Sequence, residues 1–289
     1  MRFKMKSSLL KKTIFKSGRD NWYWPHCTEE PSHWKKTMFF NPNGARLTGL
    51  YSPAVKNSKG VIVCGHPMHP LAKGYYLKTG HAGRLKSAGY DVFLFDFNGF
   101  GESDDASLDF AGDILAAAKE ASRISGKQKV GYYGVSFGAA WCICAMKKRH
   151  NIESAFLERP FTTLEEFCRE DLKSCLILKM LKYLNPKMLN GLNPINHAFD
   201  VAGVNRIQLV YAEGDRRTPP VTGEKFLKNF DIENNYKSEQ VSWFRLPTVD
   251  VDIKILPKSP VRRDKVDADY FNFLADFFDR SLNCIETAY

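Results

Sequence analysis

Short apolar segments alternate with amphipathic ones from residue 35 to the end of the chain. The apolar segments are four to eight residues long, a length typical of buried strands, and apolar residues recur at helical spacing between them. Strands are predicted at 36–40, 46–51, 60–64, 91–97, 129–135, 152–157, 206–212 and 239–246, and helices at 76–88, 106–124, 137–149, 223–230 and 268–282. Apolar strands separated by helices predict an α/β fold with a mostly parallel sheet covered on both faces.

The alternation is interrupted once, between about 160 and 200, where helix is predicted without a strand. An insertion after the strand at 152–157 would lie over the carboxyl edge of the sheet, where open α/β sheets bind ligands. Its segment 172–184 fits either an ordinary buried helix or a cap helix with an apolar underside. We therefore expect an N-terminal arm at 1–34, irregular and aromatic, followed by one domain at 35–289 with a helical cap at about 160–200.

Composition narrows the class of protein. The chain has 289 residues and a formal charge of +10, and seven basic residues precede the first acidic one. The basic N-terminus fits either a solvated arm or a weak contact with an anionic surface, and no nucleic-acid motif accompanies it. No apolar run reaches 18 residues, and no signal peptide is indicated. The seven cysteines form no C-x-x-C pair, so no zinc site is expected. We expect the protein to function in the reducing environment of the cytoplasm. No cofactor is expected.

The most specific motif is G-x-S-x-G at Gly134–Gly138, centred on Ser136. It lies between the predicted strand at 129–135 and the predicted helix at 137–149. That context is typical of a nucleophile elbow, where a sharp turn lifts the serine hydroxyl to the top of the sheet. Only small residues fit such a turn at positions 134 and 138.

Four segments together resemble the α/β-hydrolase superfamily over roughly residues 36–284. Gly65–Pro70 (GHPMHP) is similar to its oxyanion loop, and Asp96–Ser103 (DFNGFGES) resembles its D-x-R-G-x-G-x-S turn. Gly134–Gly138 matches the elbow, and Tyr211–Pro220 (YAEGDRRTPP) resembles the G-x-x-D-x-x-x-P acid loop. The resemblance implies an α/β-hydrolase fold with a helical cap.

The same resemblance assigns roles to individual residues. Ser136 would be the nucleophile, Asp215 the acid, and the backbone N–H groups of Phe137 and Met68 the oxyanion hole. The family's base is a histidine that follows the acid, but the last histidine of this chain is His197. A serine hydroxyl is a weak nucleophile without a base.

Three explanations fit the missing histidine. His69 in the oxyanion loop would act as a displaced base, although His66 and His69 also fit loop-shaping hydrogen bonds. Alternatively, Asp250 or Asp252 would be a weak base, or the oxyanion donors would act alone; alternation at 248–256 equally predicts an edge strand with outward charges. Finally, hydrolysis would be lost while a ligand pocket remains, as in the plant gibberellin receptor. Asp215 would then cap the helix near residue 220.

The sequence therefore predicts a serine-hydrolase-like enzyme acting on an ester, thioester or acyl substrate through Ser136, with a non-standard triad. The alternative is a non-hydrolytic protein of the same fold, either a ligand-binding pseudoenzyme or an acyltransferase or cyclase type of catalyst. The expected partner is a small, apolar acyl substrate or ligand rather than a nucleic acid. No group of residues has metal-ligand spacing.

Overall fold

Eight strands form one sheet in the order β1-β2-β4-β3-β5-β6-β7-β8. The computed structural model describes residues 7–15, 22–26, 29–184, 186–240, 249–262 and 265–282. Pairing is antiparallel between β1 and β2 and between β2 and β4, and parallel in the rest of the sheet. The strands are β1 (Lys35–Phe40), β2 (Arg46–Ser52), β3 (Gly60–Gly65), β4 (Tyr90–Phe95), β5 (Val130–Val135), β6 (Ile152–Glu158), β7 (Arg206–Ala212) and β8 (Asp250–Leu256).

Helices cover the two faces of this sheet. They are α1 (Ser7–Ile14), α2 (Gly74–Lys78), α3 (His81–Ser87), α4 (Phe110–Ser125), α5 (Phe137–Ala145), α6 (Leu164–Cys168), α7 (Leu172–Leu184), α8 (Pro186–Asn190), α9 (Val221–Gln240) and α10 (Ala268–Leu282). Short 3₁₀ helices occur at Pro31–His33 and Pro194–Asp200, and β9 (Val261–Arg262) pairs with β10 (Lys265–Val266) in a small hairpin. The predicted α/β fold is confirmed.

Side chains of the central strands alternate between two apolar layers. On β5, Val130 and Tyr132 belong to a layer that includes residues of α4 and α5, whereas Tyr133 and Val135 belong to a layer that includes residues of α3 and α10. Successive strand residues point to opposite faces, so a strand covered on both sides must be apolar throughout. All six residues of β5 are buried, which accounts for its unbroken apolar pattern.

Three sequence predictions need correction. The predicted helix 76–88 is two helices, because Gly80 between α2 and α3 has a φ of 79°. The arm at 1–34 is not wholly irregular: α1 forms there, and Phe15 just after it is fully buried against Phe110 and Phe137. The predicted strand 239–246 is wrong at its start, where residues 239–240 end α9, and its residues 241–248 lie outside the described part.

The last strand of the sheet is β8, at the position where alternation predicted an edge strand. Its register pairs Asp250 with Arg206 and Asp252 with Gln208 of β7. Both carboxylates contact the Arg206 guanidinium, at 3.1 Å and 2.9 Å. The edge-strand interpretation is therefore confirmed, and Asp250 and Asp252 belong to a strand rather than to a catalytic loop.

The insertion between 160 and 200 contains α6, α7, α8 and a 3₁₀ helix and, among its described residues, no strand, as predicted. It follows β6 and precedes β7, which are neighbouring strands of the sheet, and β6 also adjoins β5. Phe167 of α6 contacts Phe15 and Phe161, which ties this segment to the arm and to the core.

Candidate active site at the end of strand β5

The backbone turns sharply at Ser136, between β5 and α5. Its φ of 50° and ψ of −101° lie in a region that non-glycine residues rarely adopt. Two hydrogen bonds hold the turn: the Ser136 N–H donates to the Glu158 carbonyl at 2.7 Å, and the Ser136 carbonyl accepts from Ala140 N–H at 2.9 Å. Such a conformation costs about 1–3 kcal/mol and marks candidate functional positions.

The two glycines of the motif are required by close packing. A Cβ at Gly138 would lie 2.0 Å from the Gly65 carbonyl oxygen of β3, and a Cβ at Gly134 would lie 2.8 Å from the Cα of Ala139. Backbone atoms cannot yield to such a contact. The structure thus confirms the steric requirement predicted for positions 134 and 138.

Helix α5 begins at Phe137, directly after Ser136. The first N–H groups of a helix have no intrahelical acceptor, and they carry the positive end of the helix dipole. Phe137 is the first residue of α5, and its fully buried ring packs against Phe97 and Phe110 at centroid distances of 5.2 Å and 4.8 Å. That packing holds the Phe137 backbone in place at the start of α5.

The loop after β3 is shaped by a buried histidine. His66 Nδ1 lies 2.7 Å from the Pro67 carbonyl oxygen, and its Nε2 accepts the Phe97 N–H at 3.2 Å. Complete burial lowers the pKa of His66 to about 4, so the ring is neutral and Nδ1 donates to Pro67. The loop-shaping interpretation fits His66.

His69 and Met68 of the same loop line a cleft together with Ser136. The Leu71 N–H donates to His69 Nδ1 at 3.1 Å, and the ring packs against Tyr75. Because Nδ1 is an acceptor here, the proton of the neutral ring is on Nε2. His69 in this arrangement offers a donor, and it becomes a base through Nδ1 only by releasing the Leu71 N–H.

The other six histidines, all within the described residues, do not line this cleft. Besides His66, three of them have hydrogen bonds that fix local structure: His81 to Thr79 and Tyr133, His150 to Ala202, and His197 to Lys147 and Gly191.

The acid loop after β7 places Asp215 in the same cleft. Asp215 Oδ1 accepts the N–H groups of Arg217 and Thr218 at 2.9 Å and 3.0 Å, and Oδ2 accepts the Thr218 hydroxyl at 3.1 Å. These bonds shape the turn before α9, which begins at Val221. Asp215 therefore lines the cleft with Ser136 and also orders its own loop.

Arg159 was not identified from the sequence, although it lines the cleft together with Ser136 and Asp215. Its Nη1 lies 3.7 Å from Asp215 Oδ2, and its Nη2 lies 2.8 Å from Glu158 Oε1. Arg159 has a φ of 53°, and its N–H donates to the Val210 carbonyl of β7 at 2.7 Å. The available signal was the charged pair Glu158-Arg159 directly after an apolar strand, at the sheet edge that binds ligands.

Glu158, which precedes Arg159 in the chain, is a fully buried carboxylate. Its Oε2 accepts the hydroxyls of Tyr133 and Tyr270 at 3.1 Å and 2.8 Å, whereas Oε1 faces Arg159 without forming a well-aligned hydrogen bond. Burial opposes the positive charge of Arg159, but the attraction of Glu158 and Asp215 outweighs it and raises the pKa of Arg159. The guanidinium is therefore permanently charged and neutralises a carboxylate that has no access to water.

The cleft has a volume of about 460 Å³ and brings together Met68, His69, Ser136, Arg159 and Asp215. Asp96 connects the loop after β3 with the loop after β4: its Oδ1 accepts the Lys73 N–H, and its Oδ2 accepts the Glu102 N–H. The four segments singled out in the sequence thus meet at the carboxyl edge of the sheet. In the described residues no cluster of three metal-ligating side chains occurs, and no helix there has the length and hydropathy needed to cross a membrane.

No model of a known protein family matches this chain, and no curated protein sequence matches it. Solved structures do. The esterase Pf2001 of Pyrococcus furiosus superimposes with a TM-score of 0.65 at 14% identity, over 91% of this chain and 98% of the esterase. Acylaminoacyl peptidase of Pyrococcus horikoshii gives 0.62 at 17% identity, over 91% of this chain and 43% of the peptidase. Dipeptidyl peptidase 4 of Porphyromonas gingivalis gives a TM-score of 0.64 at 13% identity, over 86% of this chain and 35% of the peptidase. This chain therefore has the α/β-hydrolase fold.

Proposed function

We propose that the protein is a serine-dependent acyl-transfer enzyme of the hydrolase type, acting on an ester, thioester or other acyl substrate. The observation that carries the proposal is the strained backbone of Ser136, which lines the cleft. A protein has no packing reason to keep a side chain in such a conformation, because glycine adopts it without strain. The solved esterase with the same fold supports the same class of reaction.

In the proposed reaction the Ser136 Oγ attacks the substrate carbonyl carbon and forms a tetrahedral intermediate. The N–H groups of Phe137 and Met68 donate hydrogen bonds to the former carbonyl oxygen and stabilise its negative charge. The leaving alkoxide, thiolate or amine departs with a proton, and water or a second acceptor then releases the acyl group from Ser136. Asp215 orders the loop on the opposite side of the cleft.

The serine proton needs an acceptor, and we assign it to His69, the histidine that lines the cleft. His69 Nδ1 would exchange the Leu71 N–H for the serine proton. Breaking that hydrogen bond raises the barrier, so a slow reaction is expected. Asp215 lies 3.7 Å from the permanently protonated Arg159 guanidinium, and we assign the base role to neither of them.

The test is covalent labelling with a fluorophosphonate, which requires an activated serine. Wild-type protein should label and Ser136→Ala should not. His69→Asn keeps an acceptor for the Leu71 N–H but has no titratable ring, so it separates the two interpretations of His69. It should label about 10²-fold more slowly if His69 is the base. Folded wild-type protein that does not label would overturn the proposal, and unchanged labelling of His69→Asn would remove His69 from it.

A second function is favoured by one observation: Arg159 lies 3.7 Å from Asp215, the acid that would otherwise orient an imidazole. A site that has exchanged its imidazole for a permanent cation fits a non-hydrolytic protein, either a ligand-binding pseudoenzyme or a catalyst of acyl transfer or cyclisation. For a binding protein, a ligand should raise the melting temperature and be recovered unchanged. Turnover of that ligand would contradict this second function.

A further inference from the structure

Helix α7 has large apolar side chains on its exposed face. Twelve large apolar residues are exposed in the described part of the chain, and five of them lie on this one helix of 13 residues. Their exposed fractions run from 50% to 90%. The five are Leu172 (86%), Leu176 (70%), Met180 (50%), Tyr183 (90%) and Leu184 (55%).

The spacing makes these side chains one continuous strip. Leu172, Leu176 and Met180 are four residues apart and lie one above another on the helix, and Tyr183 and Leu184 extend the strip by one turn. The opposite face of α7 is anchored in the protein, where Leu178 and Leu181 are 3% exposed. The α7 strip is therefore in addition to the apolar face that holds the helix to the domain. Isolated exposed apolar residues are ordinary, but a contiguous strip marks a binding surface.

Charge identifies the partner. Lys173, Lys179 and Lys182 are exposed on the same helix, and α7 contains no acidic residue. Only Lys182 has an ion pair in the described structure, with Glu165 at 3.2 Å. Lysines around an apolar strip are typical of helices that lie in the plane of an anionic membrane surface, since their long stems let the charges reach the head groups. The formal charge of +10 of the whole chain acts in the same direction.

We propose that α7 docks this protein onto anionic lipid bilayers, with the helix parallel to the membrane plane and the α7 strip inserted among the acyl chains. A second copy of the chain fits this face less well, because pairing two identical strips brings like-charged lysines together. Docking would set the Ser136 cleft close to the bilayer, since Phe167 of α6, the helix before α7, lines that cleft. The surface itself does not depend on the proposed chemistry of Ser136.

The experiment measures co-sedimentation of purified full-length protein with vesicles of phosphatidylglycerol and phosphatidylcholine, and with vesicles of phosphatidylcholine alone. Binding should require the anionic lipid and weaken as salt increases. The triple variant Leu172→Gln, Leu176→Gln, Tyr183→Gln should lose more than about tenfold in vesicle affinity. Its matched control is Met38→Gln, Phe40→Gln, Val55→Gln, which changes three similarly exposed apolar residues elsewhere and should bind as wild type.

Two further variants separate charge and catalysis from the strip. Lys173→Gln, Lys179→Gln should lose about fivefold per lysine on anionic vesicles, whereas Lys56→Gln, an exposed lysine in a distant loop, should change little. Ser136→Ala should bind vesicles normally even if it abolishes labelling, so the two proposals fail independently. Absence of binding to anionic vesicles, or equal binding by the α7 triple variant, would overturn the proposal. So would a concentration-dependent dimer that only the α7 triple variant dissociates, because the strip would then be a protein interface.

Discussion

The Arg159 guanidinium joins two carboxylates, with Nη2 2.8 Å from Glu158 Oε1 and Nη1 3.7 Å from Asp215 Oδ2. One of the two carboxylates is fully buried and the other lines the cleft. Arg159 therefore connects the interior of the sheet to the surface on which Ser136 is presented. Stability and site geometry depend on the same side chain.

Replacing Arg159 should destabilise the fold strongly. Arg159→Met leaves the buried Glu158 charge uncompensated, which typically costs about 3 kcal/mol. The matched control is Arg217→Met, because Arg217 pairs with Glu170 at 3.1 Å on the surface and such pairs contribute less than about 1 kcal/mol. Urea unfolding measures both free energies. Adding Glu158→Gln to Arg159→Met should recover part of the loss, and equal losses for the two single variants would contradict a structural role of the buried pair.

The strain at Ser136 should be measurable as stability. Ser136→Gly removes a conformational cost of about 1–3 kcal/mol, offset by about 0.4–1 kcal/mol for the freer unfolded chain. Ser136→Ala removes the same hydroxyl but keeps the strain. The glycine variant should therefore be more stable than the alanine variant by about 1 kcal/mol, as measured by thermal and urea unfolding. A glycine variant of lower stability would show that the turn at residue 136 is not strained.

The effects of close packing and of backbone conformation on stability can be measured separately at two glycines. Gly138→Ala would place a Cβ 2.0 Å from the Gly65 carbonyl, so we expect a loss of more than about 3 kcal/mol or failure to fold. Gly126→Ala meets no atom within 4 Å but has a φ of 73°, and it should cost only about 1–2 kcal/mol. The comparison uses urea midpoints at equal m-values. Similar losses at the two positions would contradict the contact between β3 and α5.

Stability should fall below neutral pH because two histidines are buried in neutral form. Burial lowers the pKa of His66 to about 4 and that of His81 to about 3. Below the ordinary value of about 6.5 the unfolded chain binds protons that the folded protein does not. Their contribution is thus fully present above pH 6.5 and is lost as the pH falls, towards 4 for His66 and towards 3 for His81.

One buried carboxyl acts in the opposite direction. Burial raises the pKa of Asp113 to about 6, so its stabilising proton is lost as the pH rises through 6. The effect of the two histidines on stability is larger than the opposite effect of the one carboxyl. The free energy of unfolding, measured between pH 5 and 7.5, should therefore rise with pH. His81→Gln should reduce that slope by up to about 1.4 kcal/mol per pH unit. A slope unaffected by this substitution would mean that folding does not lower the pKa of His81.

The central strands and the elbow were predictable because their rules are local. A strand buried on both faces must be apolar along its length, and a glycine-serine-glycine turn is forced by contacts within a few residues and one neighbouring strand. The edge strand β8 was visible in the alternation of Asp250 and Asp252 with apolar residues. The two strand patterns follow from the alternation of side chains between the faces of a sheet.

Other features depend on neighbours that are distant in sequence. The role of Arg159 arises from the adjacency of β6 and β7, and its positive φ leaves no mark on the sequence. Phe15 is buried because the core after β4 and β5 offers it three aromatic rings, Phe110, Phe137 and Trp141. A basic segment with few apolar residues gave no indication of that contact. The exposed strip of α7 has the composition of a core helix, and only the structure separates its two faces.

The contact between Gly138 and β3 bears on how G-x-S-x-G motifs are interpreted in other chains. A protein of this fold needs glycine at both ends of the turn to bring α5 against the sheet, whether or not it performs any chemistry. The glycines therefore report architecture, and a chain that has lost its activity would keep them. Close packing does not require a particular residue between the two glycines, and a glycine there would be less strained. A serine at that position is therefore the part of the motif that indicates selection for its hydroxyl.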